Sequence, residues 1–337
     1  MVMDRQAAPG EESAQDLVED ESAVLSETES RVIDMGVAQH GERLDKALAD
    51  RVPEFSRSYL RQLLEHGAVQ LNGQPFFKVA QKIKAGDRVV LEMRPTLESQ
   101  AFRPESMAID VVHEDEHLLV VNKPAGLVVH PAPGNWSGTL LNGLMARDLK
   151  CAQVPRAGIV HRLDKDTSGL MVVARTRATM DALVHMIAQR QVHRQYLALA
   201  HRTWQGAKLI PVDAPIGRDP RNRLRMAVVD LAMHAGKTAR TDVELLANGA
   251  QTCWVRCTLH TGRTHQIRVH MAFKGHPLVA DVLYGGAHLA GMQRQALHAF
   301  RLAFLHPVTG EAMEFLAPVP TDMRSALDVL GLGYNSA

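Results

Sequence analysis

The chain has 337 residues, of which 46% are hydrophobic and 22% charged, and its formal net charge is +1. This length is enough for two domains, at least one of them with a sizeable core. No apolar run approaches the roughly 20 residues that cross a bilayer, and the acidic N-terminus has no apolar signal core, so a membrane or secreted protein is disfavoured. Three cysteines without the spacing of a disulfide framework suit a reducing, cytoplasmic compartment.

The small net charge conceals an uneven distribution. Residues 1–30 contain nine acidic residues and one basic residue, so residues 31–337 contain 37 Lys and Arg against 28 Asp and Glu. This balance suits a polyanionic partner, although an ordinary mildly basic protein explains it equally well. Residues 1–38 are acidic, rich in Ser and Ala and without an aromatic residue. They are predicted to form a disordered tail, either a plain solvated leader or an RNA-mimicking or solubilising segment.

Residues 39–94 have the pattern of a small domain. Apolar residues at helical spacing predict one helix from Leu44 to Val52 and a second between a capping Ser56 and Gly67. Val69–Gly73 then predicts a strand with an Asn-Gly turn, and a closing strand follows. The basic side chains expected to lie on the surface of this unit are Arg43, Arg57, Arg61 and Lys78.

Residues 95–106 contain two prolines and few apolar residues, which predicts a linker to a larger domain over 107–325 and a tail over 326–337. In that domain the predicted strands are Leu118–Val121, Leu127–Val129, Leu170–Ala174, Tyr196–Ala200, Val243–Leu246, Trp254–Leu259 and Leu302–Leu305. The predicted helices are Thr139–Arg147, Ala178–Ala188 and Thr264–Phe273. No regular βαβ rhythm or glycine-rich phosphate-binding motif is present. The fold class is therefore α+β, a mixed and largely antiparallel sheet with flanking helices.

The segment Gly158–Ala174 places a strongly charged loop directly before a short apolar strand. His161, Arg162 and Asp164 lie in this loop, followed by a second carboxylate at Asp166. A loop fixed against a strand is a common place for a reactive side chain. An isolated loop Asp more often caps a turn, and position alone does not choose between the two carboxylates.

Three stretches in this order, Gly158–Ala174, Arg194–Leu199 and Leu259–His270, resemble the motifs of the RluA/RluD-type RNA pseudouridine synthases. The resemblance covers roughly residues 40–325 and is greatest to the RluD branch, which carries an extra N-terminal RNA-binding module. It implies the pseudouridine synthase fold, with the active cleft across the sheet. The helices and the Asn-Gly hairpin of residues 39–94 likewise resemble an S4-like RNA-binding domain.

The resemblance also implies roles for single residues. Asp164 matches the essential aspartate of His-Arg-Leu-Asp, and Arg268 matches the active-site arginine that pairs with it. Tyr196 matches the tyrosine that stacks on the base and is a candidate general base. Arg162 matches the arginine that helps to extrude the target base. The alternatives from residue type alone are a turn-capping Asp, a surface Arg on a helix and a core Tyr.

Further RNA contacts are predicted at His161 and Arg263, and at Arg43, Arg57, Arg61 and Lys78 of the small domain. For His161, a hydrogen-bonded structural imidazole is the favoured alternative. The three histidines His260, His265 and His270 are spaced by five, which matches neither one helix face nor one strand face, and no metal site is predicted.

The predicted activity is the isomerisation of uridine to pseudouridine in RNA, without a cofactor. The resemblance implies a stem-loop of large-subunit ribosomal RNA or its precursor as substrate, and we expect a cytoplasmic monomer. Two alternatives stay open. A base-excising glycosidase would use the same aspartate and release free uracil, and a non-catalytic RNA-binding factor of ribosome assembly would not need Asp164.

Overall fold

A computed structural model describes residues 29–333 apart from 54, 56, 94–100, 133 and 223. The chain divides into two compact units, Met1–Ser99 and Gln100–Ala337. Each has its own buried apolar cluster. Among the described residues, no helix is both long and apolar enough to cross a membrane.

The described residues of the first unit form two helices and a four-stranded antiparallel sheet. Its elements are β1 (Glu29–Asp34), α1 (Leu44–Arg51), α2 (Arg57–Glu65), β2 (Val69–Leu71), β3 (Gln74–Pro75) and β4 (Arg88–Met93), and a single 3-10 turn spans Val37–Gln39. The sheet order is β1-β4-β2-β3. Leu44, Leu48, Leu60 and Leu64 are fully buried, as helical spacing predicts. Asn72 and Gly73 both have positive φ, 51° and 77°, which is the geometry of the predicted Asn-Gly hairpin turn.

One prediction for the N-terminus is wrong. Residues 29–34, assigned to the disordered tail, form β1 and pair along its whole length with β4. The reason is local apolar content: Ile33 and Met35 are buried in the core of the unit and repay the ordering of this short segment. The rest of the predicted tail, residues 1–28, and the predicted cap Ser56 lie outside the described residues.

The second unit is built on a nine-stranded sheet. The strands of the whole unit, in chain order, are β5 (Val111–Glu114), β6 (Leu118–Lys123), β7 (Ser168–Ala174), β8 (His193–His201), β9 (Leu209–Asp213), β10 (Ile216–Arg218), β11 (Met226–Val228), β12 (Gly236–Lys237), β13 (Arg240–Asn248), β14 (Thr252–Leu259), β15 (Leu297–Leu305) and β16 (Ala312–Leu316). Its helices are α3 (Leu140–Arg147), α4 (Leu149–Ala152), α5 (Arg177–Ala188), α6 (Gln266–Phe273) and α7 (Thr321–Val329), with 3-10 turns at Pro155–Gly158 and Val282–Tyr284.

The large sheet has the order β5-β6-β7-β15-β8-β14-β13-β9, and β16 pairs with β15. Every pairing in it is antiparallel except β7 with β15. Strands β10, β11 and β12 form a separate small sheet. The mixed, largely antiparallel α+β fold predicted from the sequence is confirmed. Its central strands β7 and β8 carry the two motifs that contain Asp164 and Tyr196.

Three boundaries differ from the predictions. Residues 127–129 form no strand, because the carbonyls of Val128 and Val129 accept the first N–H groups of α3, at 2.8 and 3.1 Å. Residues 101–106, assigned to the linker, belong to the second unit, where the Ala101 carbonyl accepts the Asn142 amide at 2.9 Å. Helix α7 crosses position 326 into the predicted tail, because Leu327 and Leu332 are buried.

Candidate active site

The loop of residues 159–167, here the Asp164 loop, connects the 3-10 turn Pro155–Gly158 to β7. Gly158, the residue directly before this loop, has a φ of 74°. A Cβ at this position would lie 1.8 Å from the Ala174 carbonyl oxygen, so only glycine fits. The loop ends in a tight turn in which the Thr167 N–H donates to the Asp164 carbonyl at 3.1 Å. This backbone path directs the Asp164 carboxylate toward helix α6.

Asp164 forms an ion pair with Arg268 of α6. The Arg268 Nη1 donates to Asp164 Oδ2 at 3.0 Å, while its Nε and Nη2 both donate to the buried Asp281 at 2.8 Å. Burial alone would lower the pKa of Arg268, but the hydrogen bonds and charge of Asp281, with the charge of Asp164, raise the pKa above its ordinary value. Since Asp281 binds the edge of the guanidinium formed by Nε and Nη2, Nη1 is fixed toward Asp164. Among the described residues the Asp166 carboxylate forms no ion pair, so the geometry separates the two carboxylates that sequence position left equivalent.

Two buried cations hold the backbone of the Asp164 loop from behind. The Lys123 ammonium donates to three carbonyls, those of Pro124 at 2.8 Å and of Leu127 and Lys165 at 2.9 Å. Burial lowers the pKa of Lys123 to about 8, against the opposing charges of Asp166 and Asp164. Arg294 donates to the next loop carbonyl, that of Asp166, at 2.9 Å. The two carbonyls that follow Asp164 are therefore each bound by a positive charge, which fixes the carboxylate in place.

Tyr196 lies on the face of β8 that it shares with Ala198 and Ala200, as the alternation predicts. Tyr196 also lines the cavity described below, whereas Ala198 and Ala200 are fully buried in the core. Burial raises the pKa of Tyr196 to about 12, with Asp164 adding to the rise and Arg194 opposing it. The phenol is thus neutral near pH 7, which favours stacking and hydrogen bonding over a role as a free phenolate base.

A second contact to Asp164 comes from the residue that starts α6. His265 has φ of 57°, and its Nε2 lies 3.9 Å from Asp164 Oδ1. Its Nδ1 lies 2.8 Å from the Tyr284 hydroxyl, which accepts the Met226 N–H at 3.0 Å. The Tyr284 ring also lies under the Arg268 guanidinium, 5.0 Å from its centroid. Burial lowers the pKa of His265, so this ring is a neutral support beside the carboxylate.

Asp164, Tyr196, His265 and Arg268 line a cavity of about 480 Å³, here the central cavity. Of the predicted site residues in the second unit, the structure brings all six to its wall: Asp164, Tyr196, Arg268, Arg162, His161 and Arg263. Arg162 is exposed at the wall. His161 is committed to the fold, because its Nε2 accepts the Val172 N–H at 3.1 Å and burial lowers its pKa to about 3. Its Nδ1 is buried without a hydrogen-bond partner, so the RNA contact of His161 stays a prediction beside the structural alternative. Arg263 is tied to the wall through a bond from its Nε to the Thr238 carbonyl at 3.1 Å.

Three of the four predicted RNA-binding residues of the first unit form ion pairs. Arg43 and Arg57 both bind the buried Asp45, at 3.0 and 2.7 Å, and Arg61 binds Glu65 at 2.8 Å. The guanidinium groups keep about half of their surface, with 51% of Arg43 and 53% of Arg57 exposed, so they remain accessible. Lys78 is exposed after β3.

Sequence reasoning assigned no role to Lys123, Asp281, Tyr284 or Arg294, and it considered His265 only as a metal ligand. One signal for Asp281 was available, since it is a lone carboxylate in the apolar run Leu278–Tyr284. Arg294 gave no such signal, because its loop partner Asp166 is 128 positions away. Across the described part of the chain, no group of three His, Cys, Asp or Glu side chains is placed to hold a metal ion. His260, His265 and His270 each bind a different partner.

Comparison with known proteins agrees with this geometry. The sequence model described as RNA pseudouridylate synthase matches residues 117–273, and the S4 domain model matches residues 42–89. The ribosomal large subunit pseudouridine synthase D of Neisseria meningitidis serogroup B is 48% identical over 326 residues, covering 92% of this chain and 84% of that protein. The protein of the same name from Xylella fastidiosa is 47% identical, covering 86% of this chain and 89% of its own length.

Solved structures give the same result. Human RNA pseudouridylate synthase domain containing 1 is 28% identical with a TM-score of 0.50, covering 64% of this chain and 86% of its own. Human RNA pseudouridylate synthase domain containing 4, at 23% identity and a TM-score of 0.52, shares the fold. The sequence matches span both units, and the solved structures support the catalytic fold. The chain therefore belongs to the RluA/RluD-type RNA pseudouridine synthases and is an enzyme of that family.

Proposed function

We propose that the enzyme isomerises uridine to pseudouridine in a stem-loop of large-subunit ribosomal RNA or its precursor. The names of the two bacterial relatives support this RNA as the substrate. The S4 domain adds a second RNA-binding unit. The single observation that carries the chemistry is the Asp164–Arg268 pair at 3.0 Å, beside Tyr196 in the central cavity.

The reaction breaks the N1–C1′ bond of uridine and forms a bond from C5 to C1′. A proton leaves C5 and N1 gains one, so the reaction needs no oxidant, metal or nucleotide energy source. The target base must leave its stack to enter the cavity, as in other enzymes that act on a base. Tyr196 stacks on the extruded base, and the Asp164 carboxylate acts on its ribose or its base.

The environment of Asp164 suits this role. Arg268 is held by Asp281 and orients the Asp164 carboxylate, while Lys123 and Arg294 hold the loop backbone. Arg162, exposed at the cavity wall, is placed to fill the gap that the base leaves or to contact phosphate. We further propose that the active form is a cytoplasmic monomer. The three cysteines are buried and free, which supports a reducing compartment.

The test is pseudouridine mapping of total RNA from cells with and without the gene, followed by assays of purified enzyme on the mapped fragment. We expect pseudouridine at one or more positions of large-subunit ribosomal RNA to disappear without the gene and to form with purified enzyme. Release of free uracil would instead indicate a base-excising glycosidase. Unchanged modification would leave an RNA-binding assembly factor as the better explanation.

A further inference from the structure

Arg194 is a buried arginine of the central cavity that has no described partner. It lies in β8, two residues before Tyr196, and its side chain lines the cavity although only 7% of the residue is exposed. Its Nε is buried without a hydrogen-bond partner, and within the described residues no carboxylate forms an ion pair with it. Arg268, by comparison, is held by two aspartates in the same cavity.

An unpaired guanidinium in this position is costly. Arginine stays charged in proteins, and a charge removed from water is destabilising by several kcal/mol unless a counter-charge or hydrogen bonds replace the lost hydration. Gly262 contributes to the arrangement, because a Cβ there would lie 3.0 Å from Arg194 Nη1 and would crowd the guanidinium. A charge kept at this cost, at the wall of the substrate cavity, indicates that its partner arrives with the substrate.

The surrounding wall favours an anion as that partner. Arg156, Arg162 and Arg190 also line the cavity, and all three are exposed. None of them forms an ion pair with a carboxylate in the part of the chain that the structure describes. The positive charge of this wall also lowers the pKa of His130, after the larger effect of burial, through Arg162 and Arg156. In RNA the group that is anionic near pH 7 is the phosphodiester, whereas a uracil carbonyl would accept a hydrogen bond without neutralising the charge.

We propose that Arg194 binds a phosphodiester of the substrate, at one of the two linkages that flank the target uridine. This rests on the proposed function, because it requires an RNA strand in the cavity. The planar guanidinium is suited to two parallel hydrogen bonds with phosphate oxygens. A phosphate reaches so buried a group only when its nucleotide has left the helix. Arg194 therefore stabilises the extruded strand and positions the uridine between Asp164 and Tyr196.

The experiment combines an Arg194 variant of the enzyme with RNA in which one backbone linkage carries no charge. Stem-loops of the mapped sequence carry a single uncharged methylphosphonate on the 5′ or the 3′ side of the target uridine, and kcat/KM is measured for the wild type and for Arg194→Met. We expect one of the two neutral linkages to lower the wild-type kcat/KM at least tenfold. Arg194→Met should lose a similar factor on natural RNA and should lose no more than threefold further on that neutral linkage.

The matched control is Arg177→Met on α5, where an exposed arginine pairs with Asp181. This control should keep both the wild-type rate and the wild-type sensitivity to the neutral linkage. Arg194→Lys keeps the charge, and we expect it to regain part of the lost rate and of the linkage sensitivity. Thermal melting and circular dichroism check that each variant is folded.

The outcomes separate this inference from the proposed function. A wild-type enzyme that forms no pseudouridine in natural stem-loops refutes the proposed function. If the wild type is active but neither neutral linkage lowers kcat/KM by more than threefold, the phosphate contact is excluded whatever the variants do. Independent, multiplicative losses from Arg194→Met and from the neutral linkage would also overturn it, since the guanidinium would then act on the base or on the cavity wall.

Discussion

At the residue scale, the contact with Arg268 distinguishes one of the two loop carboxylates from the other. Asp164 and Asp166 are two positions apart in the same charged loop, but only Asp164 reaches Arg268. We expect Asp164→Asn to abolish pseudouridine formation and to change RNA affinity by less than tenfold, about 1.4 kcal/mol, because the shape of the side chain is retained. Arg268 keeps its two bonds to Asp281, so the variant should fold.

The matched control is Asp166→Asn, which removes the neighbouring charge and leaves the carbonyl that Arg294 binds. Its turnover should stay near that of the wild type. Single-turnover assays with saturating stem-loop RNA compare the two. Substantial activity in Asp164→Asn would exclude this carboxylate as the reactive group, and a loss of folding would show a structural aspartate.

Tyr196 tests whether a neutral phenol takes part in proton transfer. Tyr196→Phe retains the ring and its stacking but removes the hydroxyl. We expect the single-turnover rate constant to fall by about 10²–10⁴, the usual contribution of a positioned proton-transfer group, with little change in RNA affinity. A rate constant equal to that of the wild type would reduce Tyr196 to a stacking and packing residue, which its pKa of about 12 makes the main alternative.

At the scale of elements, Arg294 connects the Asp164 loop to helix α7. Its Nη1 binds the Asp166 carbonyl, and its Nε and Nη2 bind Asp322 at 2.7 and 3.0 Å. We expect Arg294→Met to lower kcat about tenfold to a hundredfold, because a loop without this contact no longer holds the Asp164 carboxylate in its position.

Asp322→Asn provides the control, because it weakens only the partly exposed ion pair to α7. Such pairs contribute at most about 1 kcal/mol, so this variant should melt slightly earlier and keep the wild-type kcat. Equal rates in Arg294→Met and the wild type would show that Lys123 alone fixes the loop. A parallel loss of kcat in both variants would instead assign the effect to the docking of α7.

A buried histidine of β15 forms a hydrogen bond with β7, and its burial predicts that the stability of the protein falls at acid pH. His298 lies 2.9 Å from the Ser168 hydroxyl, and burial lowers its pKa from 6.5 to about 4. Between pH 6.5 and pH 4 the unfolded chain binds a proton at this residue and the folded chain does not. The free energy of unfolding should therefore fall as the pH falls through this window, by up to about 3 kcal/mol from this residue.

Urea denaturation at several pH values measures this effect. His298→Asn should show a shallower decrease of the free energy of unfolding between pH 6.5 and pH 4 than the wild type. The exposed His185→Asn on α5 is the control and should follow the wild-type curve. Identical slopes for His298→Asn and the wild type would remove His298 as a source of the acid sensitivity.

For the whole molecule, the sequence predicted the fold class and those helices and strands that local apolar patterns specify. The α+β class, the helices that became α1, α3, α5 and α6, and the strands that became β6, β7 and β8 follow from apolar spacing. Asp164, Tyr196 and Arg268 follow from resemblance to the family motifs. The supports of the site did not follow, because Asp281 and Arg294 act through partners that only the tertiary fold brings near. Strand β1 was missed because its stability comes from pairing with β4, more than 50 residues later.

The division into two units predicts a separation of binding from chemistry. A protein that begins at Gln100 keeps every residue of the central cavity and loses the S4 unit with its basic side chains. We expect it to fold, to bind RNA more weakly and to have a shallower salt dependence, since each lost phosphate contact reduces the log–log slope by about 0.7–0.9. Its turnover at saturating RNA should stay within a few-fold of that of the full chain.

Salt titrations of the full-length and truncated proteins, with turnover at saturating RNA, decide this prediction. Lys78→Ala in the full chain is the matched single-site variant. Arg43 and Arg57 share Asp45 and Arg61 pairs with Glu65, whereas Lys78 is exposed and forms no ion pair with another described residue. It should reduce the slope by about one contact and leave kcat unchanged. Equal slopes for the full and truncated proteins would remove the S4 unit from the RNA footprint. A folded truncation without turnover would show that the S4 unit also shapes the active site, since the cavity residues themselves would all still be present.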